Sequence, residues 1–149
     1  MYGLYPGDLL EDMPWAVTRL GEKRLKTAYA YKQLLEQNGW LPLGTDFPVE
    51  NINPVYTFYA AVERRDLKGF PSTGFQPENA ISRIEALKGM TIWAAKAQFE
   101  EKEKGSIEPG KYADFVILDK DIMKINGSEL PHVKVLETYL NGEKVYEKK

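Results

Sequence analysis

Trp40-Leu41-Pro42-Leu43-Gly44-Thr45-Asp46-Phe47-Pro48-Val49-Glu50 is the stretch whose reading decides the rest of the chain. Residues 40–45 form a short apolar run, entered after the Asn38-Gly39 turn signal and ended by Asp46, with Phe47-Pro48 beyond. That is the pattern of a buried parallel strand carrying a carboxylate at its C-terminal tip. Gly44 permits close backbone approach, and Pro48 stops a ladder from continuing. In an α/β barrel the C-terminal tips of the strands face the active site, which gives Asp46 a chemical reading. Aspartate also caps turns and helices through its side chain, which gives it a structural one. On local pattern alone both stand.

Upstream, Leu25, Ala28, Tyr29, Tyr31, Leu34 and Leu35 recur at three- and four-residue spacing, predicting a helix from Glu22 to about Gln37 that Asn38-Gly39 caps. A helix running straight into a buried strand is an αβ unit and favours a parallel sheet. Residues 1–21, punctuated by Pro6, Gly7, Pro14 and Gly21, read as loop with at most one short turn. Downstream, Asn53 is a good N-cap and Pro54 a good first helical residue, so a helix runs to about Arg64. Its Tyr56, Phe58, Tyr59 and Val62 read as a core stripe rather than pocket lining. Arg64-Arg65-Asp66 reads as a solvated, self-paired charge cluster, with anion binding the lesser alternative. Residues 65–76, rich in Gly, Pro, Ser and Thr, form a loop long enough to be functional, and contact with substrate is a position-based expectation for it.

Ser82-Arg83-Ile84-Glu85 is a capping box opening a helix through Ala97, and Glu100 to Lys104 is a charged, solvated run. The character then changes. Residues 105–111 are turn-rich, Phe115 to Leu118 reads as a buried strand, and strands at 133–139 and 144–146 flank the Asn141-Gly142 hairpin signal. A boundary near Gly105 divides the chain into 1–104, an α/β part, and 105–149, a small antiparallel β piece.

Composition sets the outer limits. A chain of 149 residues, 43% hydrophobic, can bury the core of one ordinary domain. A net charge of -2, spread along the sequence, offers no electrostatic footprint for nucleic acid or an anionic membrane. No apolar run approaches membrane-spanning length, and the start lacks the pattern of a signal peptide. The absence of cysteine rules out disulfides, thiolate metal sites and a cysteine nucleophile; it fits a reducing compartment and favours the cytoplasm. The single histidine, His132, cannot build a closed zinc site without partners and reads as a surface or packing residue.

Residues 107–119, Ile-Glu-Pro-Gly-Lys-Tyr-Ala-Asp-Phe-Val-Ile-Leu-Asp, resemble the signature at which metal-dependent amidohydrolases return from their barrel to a β-sandwich. Glu85-Ala86-Leu87 with Thr91 to Ala95 resembles the helix before that return, Gly44 to Glu50 the end of barrel strand eight in the amidohydrolase family 3 branch, and Asp12 to Ala16 the segment before the last barrel helix. The likeness runs from about Asp12 to Tyr146. It implies the C-terminal portion of a (β/α)8 barrel plus a small antiparallel piece of the accessory sandwich. It further implies a parent enzyme that hydrolyses non-peptide C–N bonds of N-acyl or N-formyl amines with one or two divalent ions, zinc first among them. In that family the strand-eight aspartate binds metal and takes a proton from the attacking water, a dual role the resemblance carries onto Asp46.

The chain also departs from the pattern. The paired histidines of strand one, the bridging residue and the histidines of strands five and six have no counterpart, and the expected histidine near Tyr5-Pro6-Gly7 is replaced by Asp8. The expectation is therefore a fragment that is inactive alone, binds no metal tightly, and self-associates through strand edges left open. The competing reading is a non-catalytic folding or interaction module built on the same scaffold; an upstream in-frame His-x-His segment would decide against it. A different metal chemistry using Asp8, Glu11, Asp12 and Asp46 is the weakest alternative, since clustered loop acids are usually solvated.

Overall fold

The computed structural model describes residues 5–149, apart from the side chains of Asp8 and Leu10. The first helix, α1 (Pro6–Leu25), occupies the stretch expected to be loop. Leu9, Met13 and Ala16 form a buried stripe at helical spacing, and that face packs on α3. Pro6 takes an N-terminal position where its missing donor is harmless, Pro14 is carried inside, and the backbone breaks at Gly21, at φ 72° and ψ 157°. The helix expected over 22–37 is consequently divided: α1 ends at Leu25, a turn follows, and α2 spans Tyr31–Asn38. Gly39 closes α2 in the left-handed region, its N–H donating to Leu35 O at 2.7 Å.

Residues 40–45 are buried at Leu41, Pro42 and Leu43 but form no strand. Leu43 N–H donates to Gly89 O at 3.0 Å, and Leu43 is an isolated bridge residue. A ladder needs a neighbouring strand, and none of the described residues lies alongside as one; the three-stranded sheet at the C-terminal end is antiparallel. Helix α3 (Pro54–Glu63) is capped as expected by Asn53, whose side chain accepts from Val55 N at 3.0 Å. It is the centre of the core: Val55, Phe58, Tyr59, Ala60 and Ala61 are all buried along it.

The capping box opens α4 (Arg83–Met90): Ser82 Oγ accepts from Glu85 N, and Glu85 Oε2 accepts from Ser82 N at 2.7 Å. Those bonds, with the Lys32 ammonium beside it, hold the Glu85 carboxyl below its usual range despite the opposing effect of partial burial. Ser82→Ala is expected to destabilise the chain by about 1 kcal/mol, read from the urea midpoint at unchanged slope. The helix expected to continue to Ala97 is broken at Thr91, where φ is -123° and ψ -98°, and resumes as α5 (Ile92–Ala97).

The C-terminal third matches its expectation closely. Strands β1 (Phe115–Leu118), β2 (Val135–Leu140) and β3 (Glu143–Glu147) form an antiparallel sheet in the order β1-β2-β3. Asn141 and Gly142 turn the hairpin at φ 50° and 81°, the two positive values that a type I′ turn requires. The stacked rings of Phe115 and Tyr139, 4.5 Å apart, lock the β1–β2 register. One detail differs: β1 is not a buried strand, since Val116 and Ile117 are exposed. The unit is anchored by a 3-10 helix, Gly127–His132, whose Leu130 is fully buried in the core. Gly127 leaves no room for a β carbon because the Glu63 carboxylate at the end of α3 lies against it.

Candidate functional site

Asp46 stands at the end of the buried segment in a left-handed conformation, φ 55°, which aspartate tolerates better than most residues. Its carbonyl accepts from Val49 N at 2.8 Å, and the Phe47 N–H donates to Thr45 Oγ1 at 3.3 Å, so backbone and threonine close this turn. Asn53 caps α3. Neither structural task falls to the Asp46 carboxylate, which among the described residues has no hydrogen bond or ion pair and is only half-buried. The capping bonds at this turn are therefore made by other groups, and the Asp46 carboxylate makes none of them.

The other acids do not join it. Asp12 is taken by Tyr29, whose hydroxyl donates to its Oδ2 at 2.6 Å, Glu11 is exposed on α1, and the Asp8 side chain lies outside the described residues. Among the described residues no group of three or more His, Cys, Asp or Glu is placed to hold a metal ion. His132 ends the 3-10 helix in an exposed position, as expected of a residue without ligand partners. Among the described residues Asp46 is part of no such cluster of metal-ligand candidates.

A cleft of about 310 Å³ lies nearby in sequence, with Gly7, Glu50, Asn51, Tyr56, Thr57 and Asp66 on its wall; Asp46 is not part of that wall. Leu67 and Lys68 complete one side, placing the tip of the 65–76 loop against it. No sequence signal marks this cleft, because it is assembled from the first turn of α1, the start of α3 and the loop after α3.

The cluster at 64–66 is a correction. Arg64 is neither solvated nor self-paired: it is 0% exposed and ends α3 at φ 57°. Its Nε donates to Phe75 O at 2.9 Å, its Nη2 donates to Gln76 Oε1 at 3.2 Å, and the guanidinium lies 4.9 Å from the Tyr31 ring centre. Gln76 in turn donates from Nε2 to Leu25 O, tying the end of α1 to the same knot. Burial lowers the Arg64 pKa to about 10, against the opposing influence of Tyr31 and Glu78. Asp66 is equally occupied, its carboxylate accepting from the Lys68 and Phe70 amides at 2.8 Å each. The signal that could have revealed Arg64 is its place immediately after an apolar helix, where a left-handed turn sends the side chain back over the core.

No helix among the described residues is long and apolar enough to cross a membrane. The amidohydrolase family profile matches residues 2–146, nearly the whole chain. The amidohydrolase-family protein YtcJ of Bacillus subtilis (strain 168) is 32% identical over 97% of this chain, and the N-substituted formamide deformylase of Arthrobacter pascens 32% identical over 80% of it. Among solved structures, a metal-dependent hydrolase from Pyrococcus horikoshii OT3 superposes with a TM-score of 0.71 at 30% identity, covering 84% of this chain and 25% of that one. The chain spans 27% of the length of the Bacillus relative and 22% of that of the Arthrobacter one. The profile match over residues 2–146 includes both the Asp46 turn and the 107–119 signature, and the chain belongs to the amidohydrolase family, in its family 3 branch.

Proposed function

We propose that this chain is the C-terminal part of a metal-dependent amidohydrolase acting on non-peptide C–N bonds of the N-acyl or N-formyl amine type, and that it is inactive alone. In this reading residues 1–104 are the last portion of a (β/α)8 barrel and residues 105–149 are strands of its accessory sandwich. The observation that carries the reading is the Asp46 carboxylate, left without a structural task at the end of a buried segment. There it can accept a proton from an attacking water and offer one oxygen to a divalent ion, zinc in the first instance. The small-molecule amide and the remaining ligands belong to the longer protein, since this chain spans about a quarter of its relatives. Family membership and the formamide deformylase among the relatives support the bond type.

The test compares metal content by elemental analysis, and hydrolysis of an N-formyl amine, between this chain and a full-length protein containing it. The full-length protein is expected to hold metal and turn over while the 149-residue chain does neither. Stoichiometric metal and turnover in the chain alone would overturn the incomplete site; their absence from both proteins would favour a non-catalytic module. The isolated chain is also proposed to self-associate through the outer edge of β1, whose Phe115-Val116-Ile117-Leu118 carries no charge to guard it.

A further inference from the structure

The loop after α3 is cross-bonded within its tip and clasped at its neck. Its tip is held together from within: Asp66 N–H donates to Phe70 O, Gly69 N–H donates to Asp66 O, and the Asp66 carboxylate accepts from both Lys68 and Phe70 amides. Its neck is clasped by Arg64, whose O accepts from Phe75 N at 2.7 Å while its Nε donates to Phe75 O. Between neck and tip the attachment is slight. Among the described residues, two hydrogen bonds leave residues 66–73: the Tyr59 hydroxyl donates to Asp66 O at 3.0 Å, and at the neck the Gly74 N–H donates to Pro71 O at 2.8 Å. Gly74, at φ +81° beside the neck, supplies a backbone position that can absorb a rotation. Asp66, Leu67 and Lys68 form part of the cleft wall, and Leu67 and Phe70 stand 48% and 69% exposed, so little buried apolar area holds the tip down.

We propose that residues 66–73 are a flap over the cleft, moving as one body about Arg65 and Gly74, with the Tyr59 hydroxyl as its latch. A locally cross-bonded tip on a clasped neck opens without melting, and the hydrogen bond broken in the opened state is the one to Tyr59. The flap controls access to the cleft whatever its occupant, and does not depend on the role given to Asp46.

The absence of cysteine makes the test direct. Thr57 lies on the cleft wall and is 2% exposed, so a Thr57→Cys thiol reacts with a disulfide reagent when the cleft opens. Adding Tyr59→Phe, which keeps the ring and removes the latch, is expected to speed labelling about five-fold. The Lys68 and Phe70 amides, bonded within the tip, keep their hydrogen-exchange rates, as do the core amides of Leu43 and Ile81. Equal labelling rates with and without the latch would overturn the flap. So would acceleration shared by Lys68 and Phe70, which means a melting tip, or by Leu43 and Ile81, which means global opening. Relaxation dispersion on residues 66–70 gives a second reading without the cysteine: Tyr59→Phe raises exchange across the tip as a group, and an unchanged profile rejects the hinge.

Discussion

Asp46→Asn in the full-length hydrolase is expected to lower kcat by roughly 10³-fold with the melting temperature unchanged, on the reading that this carboxylate takes the proton from water. Asparagine has the same size and an equal tolerance for the left-handed backbone at φ 55°, so the turn should survive. The bonds that close the turn run from Val49 N to the Asp46 carbonyl and from Phe47 N to Thr45 Oγ1, and the substitution touches neither. Loss of turnover would therefore report on the carboxylate and not on the fold. Wild-type kcat in the variant would remove Asp46 from the chemistry and leave its free side chain without explanation.

Arg64→Ala is expected to cost roughly 3 kcal/mol of stability. The substitution empties the space of the largest fully buried side chain and leaves Phe75 O and Gln76 Oε1 without donors. For a domain of this size that loss corresponds to a drop in melting temperature of about 6–12 °C. Arg64→Met separates the two contributions. A methionine keeps apolar volume against Tyr31 and removes a desolvated cation whose pKa is already lowered to about 10, so it should lose about half as much. Urea unfolding of both variants makes the comparison; an Arg64→Ala midpoint equal to that of the native chain would mean that the knot of Arg64, Gln76 and Leu25 carries no net stability.

What the sequence made legible was chemistry confined to a few neighbouring residues. Asn53-Pro54, Ser82 with Glu85, Gly39, and Asn141-Gly142 act through local bonds and positive φ, and each sits where its type predicts. Features that depend on a distant partner were read less well. Leu41, Pro42 and Leu43 are buried as expected, yet a strand is a relation between two segments and sequence cannot supply the second. In α1 the stripe of Leu9, Met13 and Ala16 was masked by Pro6 and Pro14, whose breaking tendency packing on α3 overrides, whereas Gly21 does break the helix. Arg64 was placed in water because arginine is usually there; its left-handed backbone turned it inward. At Asp46 the sequence left two readings open, and that the turn is closed by Thr45 and α3 capped by Asn53 became visible only in the structure. The cleft was invisible, because its walls come from three separated parts of the chain.

The contact between Glu63 and Gly127 also joins distant parts of the chain. The β2–β3 hairpin is local and can close within microseconds. The 3-10 helix that seats the sheet packs on α3, with the Glu63 carboxylate lying where a β carbon at Gly127 would stand. During synthesis α3 emerges well before that seat exists, and the hairpin emerges after it. Docking of the C-terminal third on α3 is therefore a contact of long sequence separation, the kind that slows the search during folding.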